Sequence, residues 1–220
     1  MLTHSEENYL KSIYALTPAS DQSVSTSEIA SRLQTKASSV TDMIQKLAEK
    51  DFLDYKKYQG VQLTSNGRKA AIQVVRKHRL WEVFLKEKLN FGWDEVHEIA
   101  EQLEHIHSEE LVERLDRFLG HPKFDPHGDP IPDPSGKIHN RSSRLVSELT
   151  VGQRGVITGV RDSSASFLQY LDKQRLILGT EVFVEEIFEY DHSVKVTANG
   201  KEMTISAEVS QNIKVQIQES

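Results

Sequence analysis

Lys36-Ala37-Ser38-Ser39-Val40-Thr41-Asp42-Met43-Ile44-Gln45-Lys46-Leu47-Ala48-Glu49-Lys50, followed by Phe52-Leu53-Asp54-Tyr55-Lys56-Lys57-Tyr58-Gln59-Gly60-Val61-Gln62-Leu63-Thr64, decides the fold of this 220-residue chain. Val40, Ile44 and Leu47 recur at the spacing of one helical face. Ser38, Ser39, Thr41, Asp42 and Gln45 fall on the opposite face. The alternation on either side of Gln59-Gly60 predicts a β-hairpin. Upstream, Ser25-Thr26-Ser27-Glu28 supplies hydroxyl caps for a short helix carrying Ile29, Ala30 and Leu33. Before that, Tyr9, Leu10, Ile13, Tyr14 and Leu16 outline a first helix that stops ahead of Pro18. Helix, two tightly joined helices, then hairpin is the order of a winged helix-turn-helix. In that arrangement Ser38, Ser39, Thr41, Asp42 and Gln45 face the base edges of a major groove, and Lys36, Lys56 and Lys57 meet phosphates.

Downstream, a helical pattern runs from Ser65 to about Leu89, a second from Glu95 to about His107, and a third follows the Ser108-Glu109-Glu110 cap and ends at Gly120-His121-Pro122. Residues 122–136, rich in Pro, Gly and Asp, form an irregular connection. Beyond Leu149 the character turns to short strands at 155–157, 181–184, 194–196 and 213–215, with a helical turn near 167–171 and a hairpin at Asn199-Gly200. The chain is therefore expected to be mainly α with a small β domain. A winged helix-turn-helix domain spans 1–73, a helical dimerisation and metal-binding domain 74–140, and an SH3-like β-barrel 141–220.

Net charge is −6, from 27 Lys and Arg against 33 Asp and Glu, which alone argues against a nucleic-acid partner. The distribution reverses that: lysines cluster early, and glutamates crowd the stretch from Glu95 to Glu113. Absence of cysteine excludes disulfides, thiolate zinc fingers, iron–sulfur clusters and cysteine nucleophiles, so any metal takes oxygen and imidazole ligands. No basic-apolar leader and no bilayer-length apolar run is present, which predicts a cytoplasmic protein without a membrane partner.

His97, Glu101, Glu104 and His105, separated by four, three and one residues, form one stripe of a helix, and His78 and Glu82 stand four apart on the neighbouring helix. Imidazole and carboxylate without thiolate suit Mn²⁺ or Fe²⁺. His107, His121 and His127 are expected to be caps, surface groups or linker contacts.

Glu7-Asn8-Tyr9-Leu10, Arg76-Lys77-His78-Arg79-Leu80-Trp81-Glu82, Val96 through His105, and Pro126-His127-Gly128-Asp129-Pro130-Ile131-Pro132 together resemble the diphtheria toxin repressor family of iron and manganese regulators, over nearly the whole chain. The resemblance implies a primary metal site from Asn8, Glu101, Glu104 and His105, and an ancillary site from His78, Glu82 and His97. It further implies a homodimer that binds a palindromic double-stranded operator only when metallated, with no organic cofactor and a FeoA-like C-terminal domain. Glu101 stands where iron-type members have cysteine and leans toward Mn²⁺, with Fe²⁺ as the alternative. Asn8 replaces methionine or aspartate. Lys11 replaces a glutamate of the short two-manganese regulators, so their binuclear arrangement does not transfer. Asp162 is the candidate for a ligand from the C-terminal domain. Two other classes compete. A carboxylate-bridged di-iron enzyme finds only one Glu-x-x-His motif, Glu104 to His107, and a metal-independent winged-helix regulator requires the ligand pattern to be incidental.

Overall fold

The computed structural model describes residues 2–18, 20, 22–56 and 59–218. Lys57, one of the expected phosphate contacts, lies outside the described residues. The chain packs into two compact units: Met1–His78 with Glu101–Val112 and Pro132–Ile138, and Arg79–Ala100 with Glu113–Ile131 and His139–Ser220.

In the first unit, α1 (His4–Leu16), α2 (Thr26–Arg32) and α3 (Ala37–Glu49) precede a hairpin of β1 (Leu53–Lys56) and β2 (Gly60–Leu63). Both early helices open with reciprocal caps. The Thr3 hydroxyl accepts from the Glu6 N–H while the Glu6 carboxylate accepts from the Thr3 N–H, and Ser25 and Glu28 repeat the exchange. Leu10, Ile13, Ile29, Val40, Ile44, Leu47 and Val61 form a solvent-free core. Each such side chain contributes roughly 1.5–3 kcal/mol relative to exposure, so the register of α3 is set by its apolar face and its polar face is obliged outward. Gly60 turns the hairpin at φ +89°, and a Cβ there would meet the Val24 carbonyl at 2.8 Å, because Val24 pairs with Val61 beside the wing.

The long helix α4 (Ser65–Leu89) begins in the first unit and ends in the second, and α5 (Val96–Leu103) runs the other way. The expected helix to His107 stops at Leu103, and Glu104 and His105 lie in the turn that follows. The physical reason is visible in their side chains: both are buried against residues of α1 and α4 rather than aligned along α5. A new helix, α6 (Glu109–Phe118), starts after Ser108, whose hydroxyl accepts the Leu111 N–H at 3.2 Å.

The second unit is built on a six-stranded antiparallel sheet, ordered β3-β8-β4-β5-β6-β7, from β3 (Arg144–Leu145), β4 (Arg154–Val160), β5 (Glu181–Ile187), β6 (Val194–Ala198), β7 (Lys201–Ile205) and β8 (Ile213–Ile217). Helices α7 (Ala165–Gln174) and α8 (Ala207–Ser210) connect them. Register shifts at Ile157/Gly159 and Val184/Glu186 coil the sheet around Ile157, Leu168, Leu171, Val182, Val196 and Val215. At the first shift the His127-Gly128 segment crosses β4. The Val160 N–H donates to the His127 carbonyl at 3.0 Å. Gly128, at φ +84°, leaves no room for a side chain, since a Cβ would sit 2.0 Å from the Thr158 carbonyl oxygen.

Candidate metal centres and nucleic-acid face

Within the first unit, α1 carries Glu7 and Lys11 four residues apart on one face. Lys11 Nζ donates to Glu101 Oε1 at 2.5 Å and to Glu104 Oε2 at 2.7 Å. The same Glu104 Oε2 lies 2.6 Å from His78 Nδ1, and Lys11 Nζ stands 3.4 Å from that nitrogen. Glu104 is fully buried and His78 nearly so, while Glu101 is partly open to solvent. An α5 stripe of ligands reaching to His105 is thus corrected. Glu104 and His105 arrive from the turn after the helix, and their partners come from α1 and α4.

His105 Nδ1 lies 2.6 Å from Glu7 Oε2, and its Nε2 is 3.8 Å from Glu104 Oε1. The His4 ring stacks on the His105 ring at 4.5 Å, and Lys77 Nζ stands 3.6 Å from Glu7 Oε1. Two buried side-chain oxygens of the first unit, Asn8 Oδ1 and Glu104 Oε1, have no hydrogen-bond partner among the described residues. Buried acceptors left unpaired are destabilising unless a cation or donor meets them. An amide oxygen, a carboxylate oxygen and an imidazole nitrogen are the ligand types that Mn²⁺ and Fe²⁺ accept. The residues fit a divalent ion.

The second unit holds another group. Glu82 on α4, with Asp125 and His127 from the connection after α6, offers three buried ligand atoms all within 4.8 Å of one another. Glu82 Oε2 is 3.5 Å from His127 Nδ1, and Glu82 Oε1 is 3.3 Å from His97 Nδ1 on α5. His127 Nε2 donates to the Trp93 carbonyl at 2.7 Å, which turns Nδ1 toward Glu82. Burial works to lower the His127 pKa, yet the hydrogen bond and charge of Glu82, with Asp125, push it up to about 9. Asp125 is pushed up to about 7 by burial first and then by Glu82 and Asp129, against the opposing charges of Arg79 and His127. Acidic groups that hold each other in these states form a cation-seeking cluster. Its backbone is braced: Asp125 Oδ1 accepts the N–H groups of His127 and Asp129, and Arg79 donates to the Pro130 carbonyl.

His127, in the connection after α6, is 4% exposed and faces Glu82 and Asp125. His121 pairs with Asp116 at 2.8 Å and remains a surface group. Asp162 is not in the Glu82 group; its Oδ1 accepts the Ser164 N–H at 2.8 Å ahead of α7. Sequence reasoning passed over Glu7, Asp125 and His127 as ligand-side groups. Glu7 and His127 lie in quoted motifs and Asp125 directly precedes one, so the Asp-Pro-His spacing of 125–127 was the available signal.

On the helix-turn-helix, Lys36, Ser38, Ser39, Asp42, Gln45 and Lys56 are exposed. Thr41 is half-buried, and its hydroxyl donates to the Ala37 carbonyl at 3.0 Å. Lys46 and Lys50 instead turn back to Glu6 on α1, at 3.1 and 2.7 Å.

Residues 1–61 match the family described as iron dependent repressor, N-terminal DNA binding domain; residues 64–133 match its metal binding and dimerisation domain; residues 144–217 match the FeoA domain. The chain is 35% identical over 133 residues to the iron-dependent repressor IdeR of Mycobacterium leprae, covering 60% of this chain and 56% of that relative, a little over half its length. It is 26% identical over 230 residues to the diphtheria toxin repressor of Corynebacterium diphtheriae, covering 98% of each. Among solved structures, a manganese-dependent transcriptional repressor in complex with manganese superposes with a TM-score of 0.85 at 34% identity, covering 97% of this chain and all of that one.

Proposed function

We propose, from the premise that the chain belongs to the diphtheria toxin repressor family of metal-dependent transcriptional repressors, that it represses transcription as a homodimer bound to a palindromic operator when loaded with Mn²⁺, or alternatively Fe²⁺. The family is one of repressors, not enzymes. The observation that carries the metal dependence is the pair of buried, unpartnered oxygens, Asn8 Oδ1 and Glu104 Oε1.

A bound divalent ion supplies two positive charges and a demand for about six ligands. The chain's own residues do the rest. Glu104 presents Oε1, and Glu7 holds the Nδ1 proton of His105 so that Nε2 keeps its lone pair toward Glu104. Asn8 offers a neutral oxygen from the first helix of the DNA-binding domain. Because Asn8 and Glu7 belong to α1 while Glu104 and His105 follow α5, filling the centre couples the reading head to the dimerisation domain. The acidic group of Glu82, Asp125 and His127, with His97 against Glu82, serves as the ancillary centre. On the DNA side, Ser38, Ser39, Asp42 and Gln45 read bases, and Lys36, Lys56 and Lys57 hold phosphates. No helix among the described residues is long and apolar enough to cross a membrane, and an operator-binding role places the protein in the cytoplasm.

The test begins with selection of duplexes from a random pool in the presence of Mn²⁺, followed by anisotropy titration of the selected duplex with and without a chelator. A dyad-symmetric sequence whose affinity collapses on chelation is expected. Equal affinity with chelator would establish the metal-independent regulator instead.

A further inference from the structure

We infer that the second unit holds a binding site for a small zwitterion with an apolar side chain, a hydrophobic α-amino acid. The site is a cavity of about 330 Å³ between the end of α4, the connection after α6 and the segment after α7, a size at the lower end for small-ligand pockets. Val83, Trp93, Phe124 and Leu178 make its apolar wall, and Lys86, Glu87, Asp125 and Asp172 are its charged members.

Three polar groups of this cavity lack partners among the described residues, and together they define the ligand. Trp93 Nε1 is buried and has no acceptor. Its ring is fixed in place: the Trp93 carbonyl accepts from His127 Nε2 at 2.7 Å, and the indole stacks on the His127 ring with centroids 6.4 Å apart. A buried N–H left unpaired is destabilising, so an acceptor supplied by a ligand is favoured. The side chains of Lys86 and Asp172, both exposed, enter no ion pair. The other two charges are already met. Glu87 Oε2 stands 3.6 Å from Lys88 Nζ, while Asp125 Oδ1 accepts the His127 and Asp129 N–H groups and Oδ2 lies 3.5 Å from Arg79 Nε. One ammonium, one carboxylate and one N–H therefore remain around an apolar wall. A ligand carboxylate answers Lys86 and Trp93 Nε1, a ligand ammonium answers Asp172, and a hydrophobic side chain covers Val83, Phe124 and Leu178. An acid without an amine leaves Asp172 unmet, and an amine without an acid leaves Lys86 and the indole N–H unmet. Such a molecule is an effector rather than a cofactor. Asp125 is shared by the cavity wall and the Glu82 group, so the ligand borders the second centre without entering it.

The full chain loaded with Mn²⁺ is dialysed against labelled L-phenylalanine, with 3-phenylpropionate, 2-phenylethylamine and glycine as competitors. One phenylalanine per chain is expected to bind, and each competitor, lacking one of the three features, should be weaker by about tenfold or more. Lys86→Met and Asp172→Asn, at exposed positions and with unchanged circular dichroism, should each weaken phenylalanine binding by a similar factor. A competitor that matches phenylalanine would overturn the zwitterion assignment. No saturable binding up to about 10 mM, or full affinity in either variant, would overturn the site.

Discussion

The Nδ1–H of His105 donates to Glu7 Oε2 across 2.6 Å, although the two residues are 98 positions apart in the chain. This single bond joins the first helix of the DNA-binding domain to the turn after α5 and settles which imidazole nitrogen is available to a ligand.

Glu7 is therefore expected to act on metal affinity without touching the ion. Glu7→Ala should weaken Mn²⁺ binding on the order of 10–100-fold, the usual range for groups that orient a histidine ligand. Glu7→Gln keeps an acceptor for the Nδ1 proton and should lose less. Isothermal titration of both variants checks the order, and an Ala variant with native affinity would show that the bond is only structural.

In the second unit, His127→Ala is expected to remove one Mn²⁺ per chain while leaving the thermal unfolding of the winged-helix domain unchanged. The three ligand atoms of Glu82, Asp125 and His127 lie within 4.8 Å of one another, so loss of one ring opens the cluster. Metal counting by atomic absorption decides it; an unaltered count would return His127 to a packing role.

Glu6 predicts an acid limit to stability. No solvent reaches it, though it lies shallowly under the side chains of Lys46 and Lys50, and burial works to raise its pKa. Hydrogen bonds from Lys50, the Thr3 N–H and Lys46 outweigh this and hold the carboxyl at about 2, below the ordinary 4.5. A lowered folded-state value means that the stabilisation is complete above pH 4.5 and is lost as pH falls from there toward about 2. With both lysines about half exposed, Glu6→Gln should cost about 1 kcal/mol at neutral pH, less at high salt, and flatten the acid limb. Urea unfolding across pH measures both, and an unchanged acid limb would exclude Glu6 as its source.

On α3, Gln45→Ala and Ser39→Ala are expected to relax sequence preference, with a lost amide contact to a base worth about 1–3 kcal/mol. Lys36→Ala should weaken all duplexes alike and reduce the salt slope by about 1. Binding to the selected duplex and to a single-base variant, over a salt series, separates the two effects. Identical behaviour of the three variants would remove the assigned roles.

Local chemistry was legible from the residues alone. The apolar spacing of Val40, Ile44 and Leu47 determined α3 and its exposed face, the Ser25-to-Glu28 pattern determined a cap, and the Asn199-Gly200 turn determined a hairpin, because each depends on neighbours within a turn or a strand. The lack of cysteine determined that metal chemistry would use oxygen and nitrogen. Only the tertiary structure decided the pairings: Lys11 between Glu101 and Glu104, Glu7 on His105, and His127 beside Glu82. Helical period extrapolated α5 through His105, but the chain leaves the helix at Leu103 because burial of Glu104 and His105 against α1 and α4 supplies partners that a continuous stripe does not. Periodicity carries information over a few residues, whereas these contacts join positions 45 to 98 apart, and which donor meets which carboxylate is settled by packing.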